Sequence, residues 1–450
     1  MTTVRFAPSP TGFLHVGNAR TALFNALFAL KTGGQFVLRL DDTDTARSTK
    51  EFADAIIADM GWLGITADRL EKQSERMARY DAVRDDLKRQ GLLYACYETP
   101  DELEYKRKRQ MALGKPPVYD RMGLNLTDEE RKELEAECRK PHWRFKLIGK
   151  RVGWTDLCKG EQTIDTTSQS DPVLIREDGT YLYTLPSIID DIDFGITHVI
   201  RGEDHVSNTG TQIEIFEALG ATAPEWGHHN LLMASDGSTL SKRKGSLSLN
   251  AMREAGTQPM AVASVATLVG TAMPVTLHES MADLANDFDL ARVSSGPARF
   301  EPKQIADFSA QITHGLETAA VAETLTAIGV PSDVQESFWL AVRKNCESPQ
   351  DAERWWAMLT SSSVDAALED DDAAYVQTAL AHLPADPLNE ESWSNWAGEL
   401  KAETGRKGKA LFMPLRKALT GLERGPEMGP ILMLLGREKV EARLRAASGA

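Results

Sequence analysis

Only four cysteines occur in 450 residues: Cys96, Cys138, Cys158 and Cys346. They are too scattered for a disulfide framework, which points to a reducing compartment. No apolar run approaches the ~18 residues of a membrane span. The start, MTTVRFAPSP, lacks the apolar core of a secretion signal. Basic residues are also short: 51 Lys and Arg stand against 66 Asp and Glu, a net charge of −15. No general cationic character therefore draws the chain to nucleic acid or a membrane, although a local basic face remains compatible with RNA. These absences leave a cytoplasmic multidomain protein, with no membrane partner and a monomer as the default. The length calls for two to four domains.

The first ninety residues alternate. A strand at Thr3–Ala7 runs into the turn Pro8-Ser9-Pro10-Thr11-Gly12, where each proline fixes φ and bars its predecessor from the helical region. Helical spacing follows from Val16 to Lys31, Gly33-Gly34 ends it, and QFVLRL reads as a buried strand. Ser48 precedes a second amphipathic helix, KEFADAIIADMGWLG. Strand, helix, strand, helix argues a parallel α/β sheet. After Gly91 the chain becomes charged and broken by Pro and Gly. Strand character returns in YLYTLPSIIDD and ITHVIRG, then the helix NTGTQIEIFEALG, so the sheet is expected to resume after an insertion. From Ser294 onward the pattern is helical, and ALEDDDAAY reads as a solvated turn or helix end.

Two stretches carry chemistry. In RFAPSPTGFLHVGNAR, His15 and Asn18 are three residues apart and share one side of a first helical turn. Gly17 lets a ligand approach the backbone, and a helix start offers free N–H groups and a positive dipole end to a triphosphate. In MASDGSTLSKRKGSLSL, Lys242, Arg243 and Lys244 sit in a Gly/Ser-rich loop that could close over a leaving phosphate. Alone, each stretch also fits an ordinary solvated loop. Together, and in this order, they are far more specific.

These residues resemble bacterial glutamyl-tRNA synthetases, members of class I. His15-Val16-Gly17-Asn18 stands where that class has HIGH, and Thr239-Leu240-Ser241-Lys242-Arg243 where it has KMSKS. The likeness continues through LRLDDTDTARS, VYDR, DGTYLYTLPSIIDD, GITHVIRGEDH and KALFMPLRKALTGLERGPEMGPILMLLG. It implies an α/β fold: a class I Rossmann-type catalytic domain, an inserted acceptor-binding α+β domain and an all-α anticodon-binding region. The expected limits are 1–90 and 185–234 for the catalytic halves, 91–184 for the insertion, 235–310 for the KMSKS-type loop and stem-contact region, and 311–450 for the helical region. By the same resemblance Arg5, Ala7, Ser9, Asp41, Tyr183, Ser187 and Arg201 hold the amino acid, with Arg5 on its side-chain carboxylate and Asp41 on its ammonium. Pro8, His15, Gly17, Asn18, Gly202, Glu203, Asp204, His205, Leu240 and Lys242 bind ATP, and His15, Asn18 and Lys242 are catalytic. Mg²⁺ shares the phosphates. The substrates implied are L-glutamate, ATP and tRNA(Glu), with tRNA(Gln) left open. Basic tracks for the tRNA are Lys106, Arg107 and Lys108 in the insertion and Lys407, Lys409 and Arg416 near the C-terminus; both runs also fit solvated helix faces.

The sequence departs from that family at several places. Asp41 replaces a glutamate, Thr239 replaces the first lysine of KMSKS, and Asn18 replaces the second histidine of HIGH. A zinc site of Cys-x-Cys type is reduced to Cys96 followed by Glu98, and Cys138 and His142 are read as incidental, so no structural zinc is expected. Arg39 and Asp42 beside Asp41 also fit a salt-bridged strand end. The rival readings are a glutaminyl-tRNA synthetase, a glutamylating enzyme that modifies a tRNA base, a small-molecule nucleotidyltransferase and an inactive RNA-binding paralogue. Lys242→Ala should slow glutamate activation on the order of 100-fold with little change in substrate binding; an unchanged rate in ATP–pyrophosphate exchange with tRNA present would remove Lys242 from the mechanism.

Overall fold

The computed structural model describes residues 1–234, 236–238 and 248–449 and forms two compact units. The first comprises Met1–Arg253 and Val262–Pro302, and the second Glu254–Ala261 and Lys303–Ala450. Its opening follows the sequence closely: β1 (Thr3–Phe6), α1 (Val16–Thr32), β2 (Gln35–Leu40), α2 (Lys50–Trp62), β3 (Arg69–Lys72) and α3 (Met77–Arg89). β1, β2 and β3 pair in parallel. The N-cap of α2 is Thr49 rather than Ser48, its hydroxyl accepting the Phe52 N–H at 3.2 Å.

The next stretch holds β4 (Leu93–Cys96), α4 (Pro100–Ala112), α5 (Met122–Asn125), α6 (Asp128–Ala136), β5 (His142–Phe145), β6 (Arg151–Asp156), β7 (Gly160–Asp165) and β8 (Val173–Ile175). β4, β5 and β8 form a separate antiparallel sheet. The hairpin β6–β7 does not join it. Although 151–165 lies within the stretch expected to be the insertion, β6 pairs in parallel with a later strand, Asp156 opposite Trp226. That contact joins residues 70 positions apart, so local pattern could not reveal it.

The chain then forms α7 (Thr184–Asp193), β9 (His198–Gly202), α8 (Val206–Ala218), β10 (Glu225–His229) and β11 (Leu232–Ala234). The expectation of a strand in YLYTLPSIIDD is corrected here: TLPSIIDDID is helical, and Leu185, Ile188 and Ile189 bury one face at helical spacing. β9 lies beside β1, where the Thr197 N–H donates to the Thr3 carbonyl at 2.9 Å. The three-stranded sheet β3-β2-β1 and the four-stranded sheet β9-β10-β6-β7 therefore meet edge to edge at β1 and β9. Helices α9 (Leu249–Glu254), α10 (Pro259–Leu268) and α11 (Met281–Asp287) follow, and β12 (Ala298–Phe300) pairs with β11.

The second unit is helical, from α12 (Pro302–Gly315) through α13 (Thr318–Ala327), α14 (Gln335–Val342), α15 (Ala352–Thr360), α16 (Asp370–Ala381), α17 (Ser392–Thr404) and α18 (Lys409–Thr420) to α19 (Met428–Ser448). The acidic run sits in the first turn of α16, where carboxylates complement the helix dipole. Trp339 and Trp396 are fully buried in this core, and their indole N–H groups donate to the carbonyls of Leu316 and Ala379. Trp396→Ala should cost about 3–5 kcal/mol through the cavity it leaves, read as a lowered midpoint in denaturant unfolding followed by circular dichroism.

Candidate active site

A cavity of about 490 Å³ opens at the sheet ends and the start of α1, lined among others by Arg5, Ala7, Pro8, Ser9, His15, Gly17, Asn18, Tyr183, Arg201, Gly202, Asp204 and His205. His15 is the N-cap of α1. The Gly17 N–H donates to its Nδ1 at 3.0 Å, and the His15 N–H donates to Asn18 Oδ1 at 3.1 Å. The expectation of free amides at this helix start is thus corrected: those of Gly17 and Asn18 are already bonded, the latter to the His15 carbonyl at 2.9 Å. What remains for a phosphate is side-chain chemistry. With Nδ1 accepting, the neutral His15 ring carries its proton on Nε2, and Asn18 keeps its NH₂ to donate. Gly17 has a further reason to lack a side chain, since a Cβ there would lie 2.8 Å from the His15 ring.

Burial pushes the imidazoles of His15, His205 and His228 below their ordinary value, and that of His229 to about 3. The lining's positive charge is therefore carried by guanidinium groups. Arg5 and Arg201 are almost fully buried, and Arg20, wholly buried beside them, is pushed down to about 9 by burial; its hydrogen-bond partners among the described residues are the carbonyls of Ala266 and Val269 and the amide oxygen of Asn230. Asp204 is the one carboxylate among the described lining residues. Such a cavity suits anions.

Behind Arg5 lies a buried ionic network. Arg5 Nε is 3.3 Å from Asp191, which also receives Arg39 Nη1 at 2.8 Å. Arg39 in turn bonds Asp41 at 2.7 Å and Ser187 Oγ at 2.7 Å. Arg76, Tyr80 and Gln73 satisfy the neighbouring Asp190. Asp41 and Ser187 do not line the cavity; both are bonded to Arg39. Glu203 is likewise outside the lining, paired with Lys159 at 2.6 Å. Leu240 and Lys242 lie outside the described residues, but the chain returns at Ser248 beside His15, with the Leu249 N–H on the Leu14 carbonyl at 2.8 Å.

Sequence reasoning missed Arg39 as the hub, Asp190 and Asp191, and the pair Asp156 and His228 that stands behind Arg201. The visible signal was two adjacent aspartates inside an otherwise apolar helix. Of the basic residues read as a tRNA track, Arg107, Lys108, Lys407 and Lys409 are exposed. Lys106 is instead tied to Glu98 and Asp120, and Arg416 to the Pro426 carbonyl, so neither is free. The β4–β5 pairing also brings Cys96, Glu98 and His142 together, their ligand atoms within 4.8 Å. Lys106 on Glu98 and Arg144 on His142 supply cations at this cluster, and burial first of all pushes the Cys96 thiol up to about 11.

A split α/β sheet with a capped H-x-G-N helix start at the mouth of a guanidinium-lined cavity defines the nucleotide-using unit of a class I synthetase. The family described as tRNA synthetases class I (E and Q), catalytic domain, matches residues 1–307, and an anticodon binding domain matches residues 351–448. The chain is 53% identical over 448 residues to glutamate–tRNA ligase 2 of Methylobacterium radiotolerans, covering 100% of both chains. It is 51% identical to glutamate–tRNA ligase 1 of Brucella ovis, over 98% of this chain and 99% of that one. A crystal structure of a glutamate tRNA ligase from Elizabethkingia meningosepticum, in complex with its amino acid, superposes with a TM-score of 0.85 at 27% identity, covering 100% and 99% of the two chains. The chain belongs to the class I tRNA synthetases of the E and Q type.

The neutral His15 should show its proton on Nε2 and titrate with a midpoint below 6.5. Because its folded value is depressed, the stability it contributes is present above pH 6.5 and is lost as acid protonates the ring. Nitrogen-15 NMR checks both; a midpoint above 6.5, or a proton on Nδ1, would remove the cap described.

Proposed function

We propose that this chain activates L-glutamate with ATP and transfers it to the 3′-terminal adenosine of tRNA(Glu). What carries the reading is a single cavity lined by two nearly buried guanidiniums, Arg5 and Arg201, and by the His15–Asn18 helix start, in a chain alike over its full length to glutamate–tRNA ligases.

The α-carboxylate of glutamate attacks the α-phosphorus of ATP, forming the acyl–phosphate bond and breaking the bond to pyrophosphate. A terminal ribose hydroxyl of the tRNA then attacks the activated carbonyl and releases AMP. A carboxylate is already ionised at neutral pH, so activation needs no general base. Alignment and donors facing the phosphates do the work. His15 Nε2–H and the Asn18 amide supply neutral donors, and Lys242 an additional cation. Tyr183 and Arg201 contact the amino acid, while Gly202, Asp204 and His205 border the adenosine. Asp41 and Ser187 act through Arg39, which shares Asp191 with Arg5. Mg²⁺ would be held by the ATP phosphates and would offset their charge there, since the described lining offers one carboxylate and no hard-cation cage. The insertion receives the acceptor end through Arg107 and Lys108, and the helical unit reads the anticodon beside Lys407 and Lys409. Structural zinc has no part in this reading: the Cys96 cluster has its donors engaged by Tyr119, Lys106 and Arg144.

Arg5 gives selectivity for glutamate over glutamine, because an amide loses charge-assisted bonds and leaves buried donors unpaired. Arg5→Ala should raise KM for glutamate on the order of 30–100-fold and KM for ATP far less. Asp191 keeps its bond to Arg39 in that variant, so the fold around it is retained. Equal changes in both constants, measured by charging of purified tRNA(Glu), would refute the assignment. The same assay with tRNA(Gln) decides whether that acceptor is used.

A further inference from the structure

Arg5 and Arg201 line the same cavity but are held differently. Arg5 faces a carboxylate, Asp191. The hydrogen-bond partners of Arg201 among the described residues are all neutral. Its Nε donates to His228 Nε2 at 3.1 Å and its Nη2 to Thr209 Oγ1 at 2.8 Å; the Tyr183 hydroxyl and the His205 carbonyl lie at 3.4 Å. The guanidinium also sits 4.7 Å from the centre of the Trp226 ring. It is fixed in place without being neutralised.

An imidazole can accept at Nε2 only when its proton is on Nδ1. Asp156, at the end of β6, sets that condition. Its Oδ2 lies 2.5 Å from His228 Nδ1, with both side chains fully buried. Its Oδ1 accepts the N–H groups of Cys158, Lys159 and His228 at 3.0, 3.1 and 3.0 Å, and the Trp154 indole N–H reaches Oδ2 at 3.2 Å. Donors on both oxygens keep this carboxylate ionised and immobile.

We propose that Asp156 and His228 are positioning residues for amino-acid recognition: the carboxylate locks the imidazole in its Nδ1–H form, whose Nε2 aims Arg201 at a carboxylate of the substrate. This rests on the reading of Arg201 as a contact to that substrate. The imidazole holds Arg201 through a neutral acceptor, whereas Arg5 is held by a carboxylate.

Asp156→Asn tests the lock at nearly constant shape. The amide oxygen still accepts the three backbone N–H groups, while its NH₂, which gives up the Trp154 indole N–H, faces His228 Nδ1 and drives the ring proton to Nε2, against the Arg201 Nε–H. KM for glutamate in tRNA(Glu) charging should rise about ten-fold, with KM for ATP and kcat within about two-fold. In a His228→Gln background the carboxamide oxygen accepts from Arg201 whichever residue stands at 156, so the Asp156→Asn effect on KM for glutamate should shrink to about two-fold or less. Nitrogen-15 NMR should place the His228 proton on Nδ1 in the unaltered protein and on Nε2 in Asp156→Asn. A proton on Nε2 in the unaltered protein overturns the proposal without any variant. So does an equal rise of both KM values, the mark of a merely structural role. Arg201→Ala separates the premises: if it leaves KM for glutamate unchanged, the reading of Arg201 falls and this inference with it. If it raises that KM while Asp156→Asn does not, only the inference falls.

Discussion

Arg39 sits in the interior of the catalytic unit with no exposure to solvent, and three carboxylates surround it. Removing such a cation from water is costly, and only close, well-bonded partners offset it. Those partners come from both halves of the sheet: Asp41 follows β2, whereas Asp190 and Asp191 belong to α7, beyond the whole intervening insertion. The same Asp191 takes Arg5 from β1. One buried charge thereby fastens α7 against β1 and β2 and sets the wall from which Arg5 faces the cavity.

The cavity separates two kinds of donor. Its imidazoles are kept neutral by burial, so they give directional hydrogen bonds without adding charge. Its guanidiniums carry the charge, and each is immobilised in a different way: Arg5 by a carboxylate, Arg201 by an imidazole and hydroxyls, Arg20 by carbonyl oxygens. Among the described residues the bonds of Arg20 are to neutral oxygens, which leaves a positive field near the capped helix start. That field favours polyanionic ligands before any side chain moves.

The local part of this fold was legible from residues alone. Proline stiffness in PSPTG, the Ala/Leu-rich period of α1 and the glycine pair after it place β1, α1 and β2 almost to the residue, because each rests on propensity within a few positions. The segment at α7 misleads because YLYTLPSII has the aromatic and β-branched content of a strand, while its apolar residues fall three and four apart. Burial of two adjacent aspartates there makes sense only once Arg39 is present, and Arg39 lies 152 positions from Asp191. The helix-start amides were misjudged for a smaller reason: a cap of histidine and asparagine uses the donors that a bare helix end would leave open. The positions lining the cavity were recovered mainly through the motifs, and the residues that hold those positions in place were not.

The hairpin β6–β7 gives this architecture an asymmetry of construction. By chain order it belongs with the inserted sheet, yet it hydrogen-bonds β10 and delivers Asp156 beneath His228. The insertion is therefore not a cassette. Replacing the whole stretch between β3 and α7 would also replace β6 and β7, the outer edge of the sheet that carries β9 and β10.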